Sequence, residues 1–304
     1  MCNFTVFVLR FSVLSLRLQV NPASKTSPAK YASGPSSRLL QALNDQSPAA
    51  INECVTADEA EDWINNNVDP KQLVNPVVDF KDVESITCLS FASLFNDFRT
   101  VRQLVESGSD VRATDWTGCT PLHYACASRV EARAKVEYML QRDASLVNAT
   151  NYSEKAVLHP ERNWLLPRYS TPLHVAALHE QTACVKTLVN VSKAPVNATD
   201  GQRGLTALHL AAWAGHAEVV KVLVQHPDCR VNATDRWGRR TALHLATRED
   251  HAEAVEVLVS HPSCDVIITD DDGRTAADAA RRRGHDDIAA LIEAKAKGKL
   301  MNQL

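Results

Sequence analysis

The chain has 304 residues, 45% of them hydrophobic, and a formal charge of -3, which excludes the broad basic field of a protein that holds nucleic acid or acidic membranes by bulk charge. Its eight cysteines, at positions 2, 54, 88, 119, 126, 184, 229 and 264, form neither a CxxC pair nor a cluster, so they read as reduced intracellular thiols rather than a disulfide framework. The length suits either two compact domains or one long array.

Residues 1–37 read as a leader. The first forty-four positions contain no Asp or Glu, and Arg10 and Arg17 punctuate an apolar, Ser-containing segment. That pattern suits a flexible extension or a mitochondrial targeting segment. It contains no uninterrupted apolar run long enough to span a bilayer. Residues 38–86, with Leu39, Leu40, Leu43 and the stretch from Ala57 to Asn65, are expected to form a degenerate capping unit.

From Thr87 onward one pattern returns. Thr87-Cys-Leu-Ser-Phe-Ala92 is followed by Thr120-Pro-Leu-His-Tyr-Ala125, Thr171-Pro-Leu-His-Val-Ala176, Thr206-Ala-Leu-His-Leu-Ala211, Thr241-Ala-Leu-His-Leu-Ala246 and the worn Thr275-Ala-Ala-Asp-Ala-Ala280. Upstream of the threonine stands a turn signal such as Val231-Asn-Ala-Thr-Asp235 with Gly238. Downstream stand an Ala-rich helix and a second apolar run such as Val219-Val-Lys-Val-Leu-Val224. Turn, short helix, turn and longer helix is therefore the unit, and units of this period stack into a solenoid. The interval from Thr120 to Thr171 is too long. Two residues are added near Val130 to Lys135, and most of the remainder forms an insertion at 152–170 that includes Trp164. The array is expected to end at residue 294, with 295–304 as a basic tail.

These units resemble the ankyrin repeat. The Thr-Pro-Leu-His-x-Ala signature is intact at Thr120 and Thr171, and Ala replaces Pro at Thr206 and Thr241. The resemblance implies an all-α ankyrin-repeat solenoid of about six helix-turn-helix units over residues 87–294, with hairpin loops projecting from it. Glycine at the end of the first helix is present at Gly215 and Gly284. Asn96, Arg129, Glu180 and Asp250 replace it elsewhere, which is expected to weaken helix termination there.

Residues shared by every copy serve the fold. Leu208 and Leu243 are expected to pack between helices, while His123, His174, His209 and His244 are expected to bond a backbone carbonyl across the unit. In a stack these histidines would stand whole repeats apart, too far to share one zinc ion. Asn148, Asn197 and Asn232 occupy the common Val-Asn-Ala-Thr lead-in, and the resemblance raises asparagine hydroxylation there.

Function is expected where the copies disagree. The resemblance points to the exposed position of the first helices, carrying Leu178, Trp213 and Arg248, and to the hairpin tips, carrying Trp116, Arg203, Arg236 and Trp237. Trp164 of the insertion joins these candidates. A partner with an apolar anchor near Trp213 and an acidic group facing Arg248 suits such a surface.

No GxGxxG before a helix, GxxxxGK[ST], HExxH or GxSxG motif occurs. The expected activity is non-catalytic protein binding, as an adaptor, inhibitor or assembly factor, with no cofactor and in the cytoplasm or nucleus. Nucleic acid is not the expected partner, because acidic residues interrupt the basic runs near Arg240 and Arg281. The alternatives are a structural or recruitment element acting through the insertion or leader and, more remotely, an enzyme with an unrecognised site.

Overall fold

The computed structural model describes residues 54–55, 86–152 and 169–301, apart from positions 96, 107, 116, 192 and 193. The leader, the helices expected of the capping unit and most of the insertion, with Trp164, lie outside these residues. So does Trp116. Contacts divide the chain between Ser153 and Glu154 into two units.

The first unit opens with a short antiparallel ladder, β1 (Cys54–Val55) against β2 (Ile86–Thr87), in which Cys54 faces Thr87. Two helix pairs follow. The first is α1 (Cys88–Phe95) with α2 (Phe98–Glu106), and the second is α3 (Pro121–Ala127) with α4 (Ala132–Arg142). A 3-10 turn, Ala144–Asn148, closes the unit.

Glu131, just before α4, and Lys135, in its first turn, tie this pair to the one before it. Glu131 adopts φ 46, and its Oε2 accepts the Phe98 amide at 2.7 Å, capping the start of α2. Lys135 is wholly buried, and its Nζ donates to Ser93 O and to Ser128 Oγ, each at 3.0 Å. These bonds offset part of the cost of burying an ammonium group and give a partner to a carbonyl near the end of α1.

The second unit holds four helix pairs: α5 (Pro172–Leu178) with α6 (Thr182–Val189), α7 (Ala207–Ala214) with α8 (Ala217–Val224), α9 (Ala242–Arg248) with α10 (Ala252–Ser260), and α11 (Ala276–Arg283) with α12 (Asp286–Met301). First helices pack on first helices and second helices on second helices, repeat upon repeat. Alanine makes this close approach possible: Ala176, Ala211, Ala246 and Ala280 are all fully buried. Each second helix contributes an apolar face, as in α8, where Val219, Val220, Leu223 and Val224 are buried. Full burial of one such leucine stabilises the stack by about 2–3 kcal/mol.

Threonine starts each first helix through a reciprocal cap. The Thr206 amide donates to His209 Nδ1 at 3.2 Å while Thr206 Oγ1 accepts the His209 amide at 3.4 Å. In the last repeat Asp278 takes the histidine's place, its Oδ2 accepting the Thr275 amide at 3.0 Å.

Helix termination keeps its geometry at two of the positions where glycine is missing, whereas α3 ends in extended backbone at Ser128 (φ -69, ψ 146) with Arg129 outside the left-handed region, and Asn96 lies outside the described residues. Glu180 (φ 58) and Asp250 (φ 64) enter the left-handed region occupied by Gly215 (φ 77) and Gly284 (φ 84). The closing bond also recurs, from Gln181 N to Ala176 O at 2.9 Å and from His251 N to Ala246 O at 3.0 Å. The loss of glycine thus appears as backbone strain of about 1 kcal/mol per site rather than as an open helix end.

The final boundary differs from expectation. Residues 295–301 continue α12 instead of forming a separate tail. Lys295, Ala296 and Lys297 are good helix formers whose basic side chains suit a helix C-terminus, which offsets the weaker Gly298.

Candidate binding cleft

The hairpins that precede the first helices of the second unit share a carboxylate-centred template. Asp200 Oδ1 accepts the amides of Arg203 and Leu205 at 2.8 and 2.9 Å. Asp235 Oδ1 accepts the Arg240 amide at 2.9 Å, and Asp270 Oδ1 accepts that of Arg274 at 2.9 Å. Successive hairpins are joined by Arg236 N donating to Arg203 O at 2.7 Å and Asp271 N donating to Gly238 O at 2.9 Å.

The second carboxylate oxygen distinguishes them. Asp235 Oδ2 receives both Nε and Nη2 of Arg240, at 2.9 and 2.7 Å, and Asp270 Oδ2 receives the same two nitrogens of Arg274 at 3.2 and 3.1 Å. Leucine, Leu205, stands at the corresponding place after Asp200, and among the described residues the buried Asp200 Oδ2 has no hydrogen-bond partner. Leu205 instead joins Leu210 and Leu245 in an apolar cluster against which Trp213 packs.

That cluster floors a cleft of about 380 Å³. Leu178, Trp213 and Arg248 line it from the first helices, while Gln202, Arg203, Trp237 and Arg240 line it from the hairpins. The Arg203 guanidinium lies 4.6 Å from the centroid of the Trp237 ring, a cation–π contact, and Trp237 remains 58% exposed. Burial lowers the pKa of Arg203, and the positive charges of Arg240 and Arg248 act in the same direction. Arg248 Nε donates to Glu249 Oε1 at 2.8 Å.

Five of the residues singled out in sequence, Leu178, Arg203, Trp213, Trp237 and Arg248, therefore share one cleft. Arg236 does not line it. Its side chain is directed along the hairpin, its Cγ close to where a side chain on Gly204 would begin. Sequence reasoning missed Leu205, Leu210, Leu245 and Arg240 as cleft residues. The available signal was the position just before each threonine, where Leu205 precedes two copies that carry Arg240 and Arg274, together with the aliphatic pair Leu210 and Leu245 one residue after the repeated histidine.

The shared residues lie inside the stack. Leu208 and Leu243 are buried. His174, His209 and His244 place Nε2 at 3.1, 3.2 and 3.2 Å from the carbonyls of Leu205, Arg240 and Arg274. Each Nδ1 accepts its threonine amide, so the proton sits on Nε2 and is donated to the next hairpin. Burial lowers the pKa of all three and keeps them neutral. His123 is likewise buried, with Nδ1 accepting the Thr120 amide at 3.1 Å.

Asn197 and Asn232 use both ends of their amides on the following repeat. Asn197 bonds Asp228 O and Arg230 N at 2.5 and 2.8 Å, and Asn232 bonds Ser263 O and Asp265 N at 2.7 and 2.9 Å. Asn148 is exposed in its 3-10 turn. Among the described residues, Cys119, Cys126, Cys184, Cys229 and Cys264 are free thiols, and burial pushes the Cys229 pKa up to about 11. The described residues contain no cluster of His, Cys, Asp or Glu suited to a metal ion and no helix long and apolar enough to cross a membrane.

Repeated residues holding a stack and variable ones facing an open cleft define an all-α repeat solenoid. The family model described as "Ankyrin repeats (3 copies)" matches residues 63–151, 152–235 and 228–302, and the chain belongs to the ankyrin-repeat family. Such repeats generally mediate protein–protein interaction. A comparison with curated proteins found no match.

Proposed function

We propose that the chain is a non-catalytic protein-binding module, an adaptor, inhibitor or assembly factor, that receives a peptide or protein surface in the cleft between its Thr206 and Thr241 repeats. The observation that carries this reading is a cleft with half-buried Trp213 and exposed Trp237 at its surface, floored by the buried leucines Leu205, Leu210 and Leu245 and ringed by arginine. Those two residue types supply much of the energy at protein interfaces. The scaffold residues have another task, since their side chains are consumed by bonds within and between repeats.

Affinity capture from cells, with the full chain and its Trp213→Ala variant compared by quantitative mass spectrometry, tests the reading. The expected result is a partner depleted about tenfold or more on the variant, at a melting temperature close to that of the original chain. Equal capture by both proteins contradicts it. Loss of capture after deletion of residues 154–168, with Trp213→Ala silent, assigns binding to the insertion instead.

A further inference from the structure

We infer that the cleft selects a partner segment in which a large aliphatic or aromatic side chain stands next to, or one residue removed from, a carboxylate. This rests on the cleft-binding reading above and adds the chemistry of what is bound.

The apolar half of the site follows from Leu205. In the next two repeats the same place is held by Arg240 and Arg274, each turned back onto its own hairpin aspartate. Leu205 puts an aliphatic surface there, continuous with Leu210 and Leu245 and bounded by Trp213. The leucines are themselves buried, so a side chain seated above them removes apolar area from water mainly at half-buried Trp213 and exposed Trp237, without displacing a charge.

The acidic half follows from charge at the mouth. Three guanidinium groups, those of Arg203, Arg240 and Arg248, line the cleft against one carboxylate, Asp235. Asp235 is already saturated: Oδ2 takes two nitrogens of Arg240, and Oδ1 takes a backbone amide. Arg203 is attracted by Asp200 more strongly than it is repelled by either Arg240 or Arg248, so its charge is largely answered within its own hairpin. Glu249 engages Nε of Arg248, and among the described residues neither Nη of Arg248 has a hydrogen-bond partner. An incoming carboxylate answers the two Nη groups of Arg248, whereas an incoming lysine or arginine adds a fourth positive charge to the cluster. A strand of nucleic acid also carries negative charge and stacks on aromatic faces such as Trp237, but acidic residues interrupt the chain's basic runs and leave no continuous track for a phosphate backbone.

Selection of a random-peptide phage library on the full chain tests this, with enriched sequences then synthesised and titrated against the original chain, Arg248→Glu, Arg248→Gln and Trp213→Ala. Thermal melting accompanies each titration. The expected peptides pair Leu, Ile, Phe or Trp with Asp or Glu, lose about tenfold in affinity on Arg248→Glu and less on Arg248→Gln, and lose affinity when their own acid is changed to its amide. Peptides that need Trp213 but carry no acid, or that bind Arg248→Glu as well as the original chain, overturn the acidic specificity while leaving the cleft as the binding site. Enrichment only of peptides indifferent to Trp213→Ala overturns both readings. Displacement of the peptide by a single-stranded oligonucleotide at lower concentration than by an acidic peptide assigns the arginine cluster to nucleic acid and also overturns the inference.

Discussion

The hairpins at Asp200 and Asp235 share one design and have opposite surfaces. Both use Oδ1 to hold backbone amides, and both feed a Thr-Ala-Leu-His helix. Arg240 then closes the Asp235 hairpin on itself, whereas Leu205 lines the cleft and, among the described residues, Asp200 Oδ2 receives no guanidinium hydrogen bond. One residue thus separates a repeat that satisfies its own polar group from one whose aliphatic side chain floors the cleft. A repeat array tolerates such a change because each unit contacts only its neighbours, so surface can diverge at one copy while the stack persists.

The largest expected effect comes from removing charge at the closed hairpin. Asp235→Asn breaks a pair in which the aspartate side chain is 0% and the arginine side chain 24% exposed. Its cost in urea unfolding is about 2 kcal/mol, below the roughly 3–5 kcal/mol of a fully buried pair because Arg240 retains contact with water. Asp200→Asn keeps the amide acceptor and loses no cation, so its cost is under about 1 kcal/mol. Equal costs at the two sites erase the distinction between the hairpins.

Protonation separates the histidine caps from the aspartate cap. Burial lowers the folded-state pKa of His174, His209 and His244 below the ordinary value of about 6.5. Their contribution to stability is then complete above that value and is lost as pH falls through it toward the folded pKa. For Asp278, hydrogen bonds from the Thr275 side chain and backbone depress the pKa, so its contribution persists well below that window and fades only as the carboxylate protonates. Melting between about pH 7.5 and pH 5.5 should therefore fall for the chain, and fall less steeply for His209→Gln, measured against its own value at high pH. Identical slopes contradict the assignment of His209 as a neutral donor.

A smaller and opposite effect is expected at Asp250, which holds φ 64 without being glycine. Asp250→Gly should raise stability by about 0.5 kcal/mol, the relief of left-handed strain partly offset by loss of the His285 contact and by a more flexible unfolded chain. Smallest of all, Trp237→Ala removes an exposed cation–π contact with Arg203 and should cost about 0.5 kcal/mol in stability. A markedly larger loss would make Trp237 part of the scaffold.

Much of the stack was legible because it is written several times. The Thr-x-Leu-His signature, the Asp and Gly of each turn and the Ala-rich first helices locate the repeats from Thr120 to Thr275, since each must repeat one backbone path. The cleft was only half legible. Trp213, Arg248, Leu178, Arg203 and Trp237 stand out as departures from the pattern, and the structure gathers them in one place. Leu205 and Leu210 did not stand out, because an aliphatic residue in a repeat reads as core until a neighbouring copy shows a charge at the same position. The bonds of Glu131 and Lys135 to the preceding helix pair were likewise hidden, since they depend on which side chain reaches across rather than on local spacing. Continuation of the last helix to Met301 was obscured by a basic composition that suits a tail and a helix end equally.

The most direct test converts the open hairpin into the closed one. Leu205→Arg places at Asp200 the cation that Arg240 provides to Asp235, and it removes the apolar floor of the cleft. Isothermal titration of this variant with a partner or peptide bound by the original chain should show at least about a tenfold loss of affinity, with the melting temperature unchanged within about 2 °C. Affinity within about twofold of the original, at unchanged melting, would contradict the claim that function resides where Leu205 departs from its repeats.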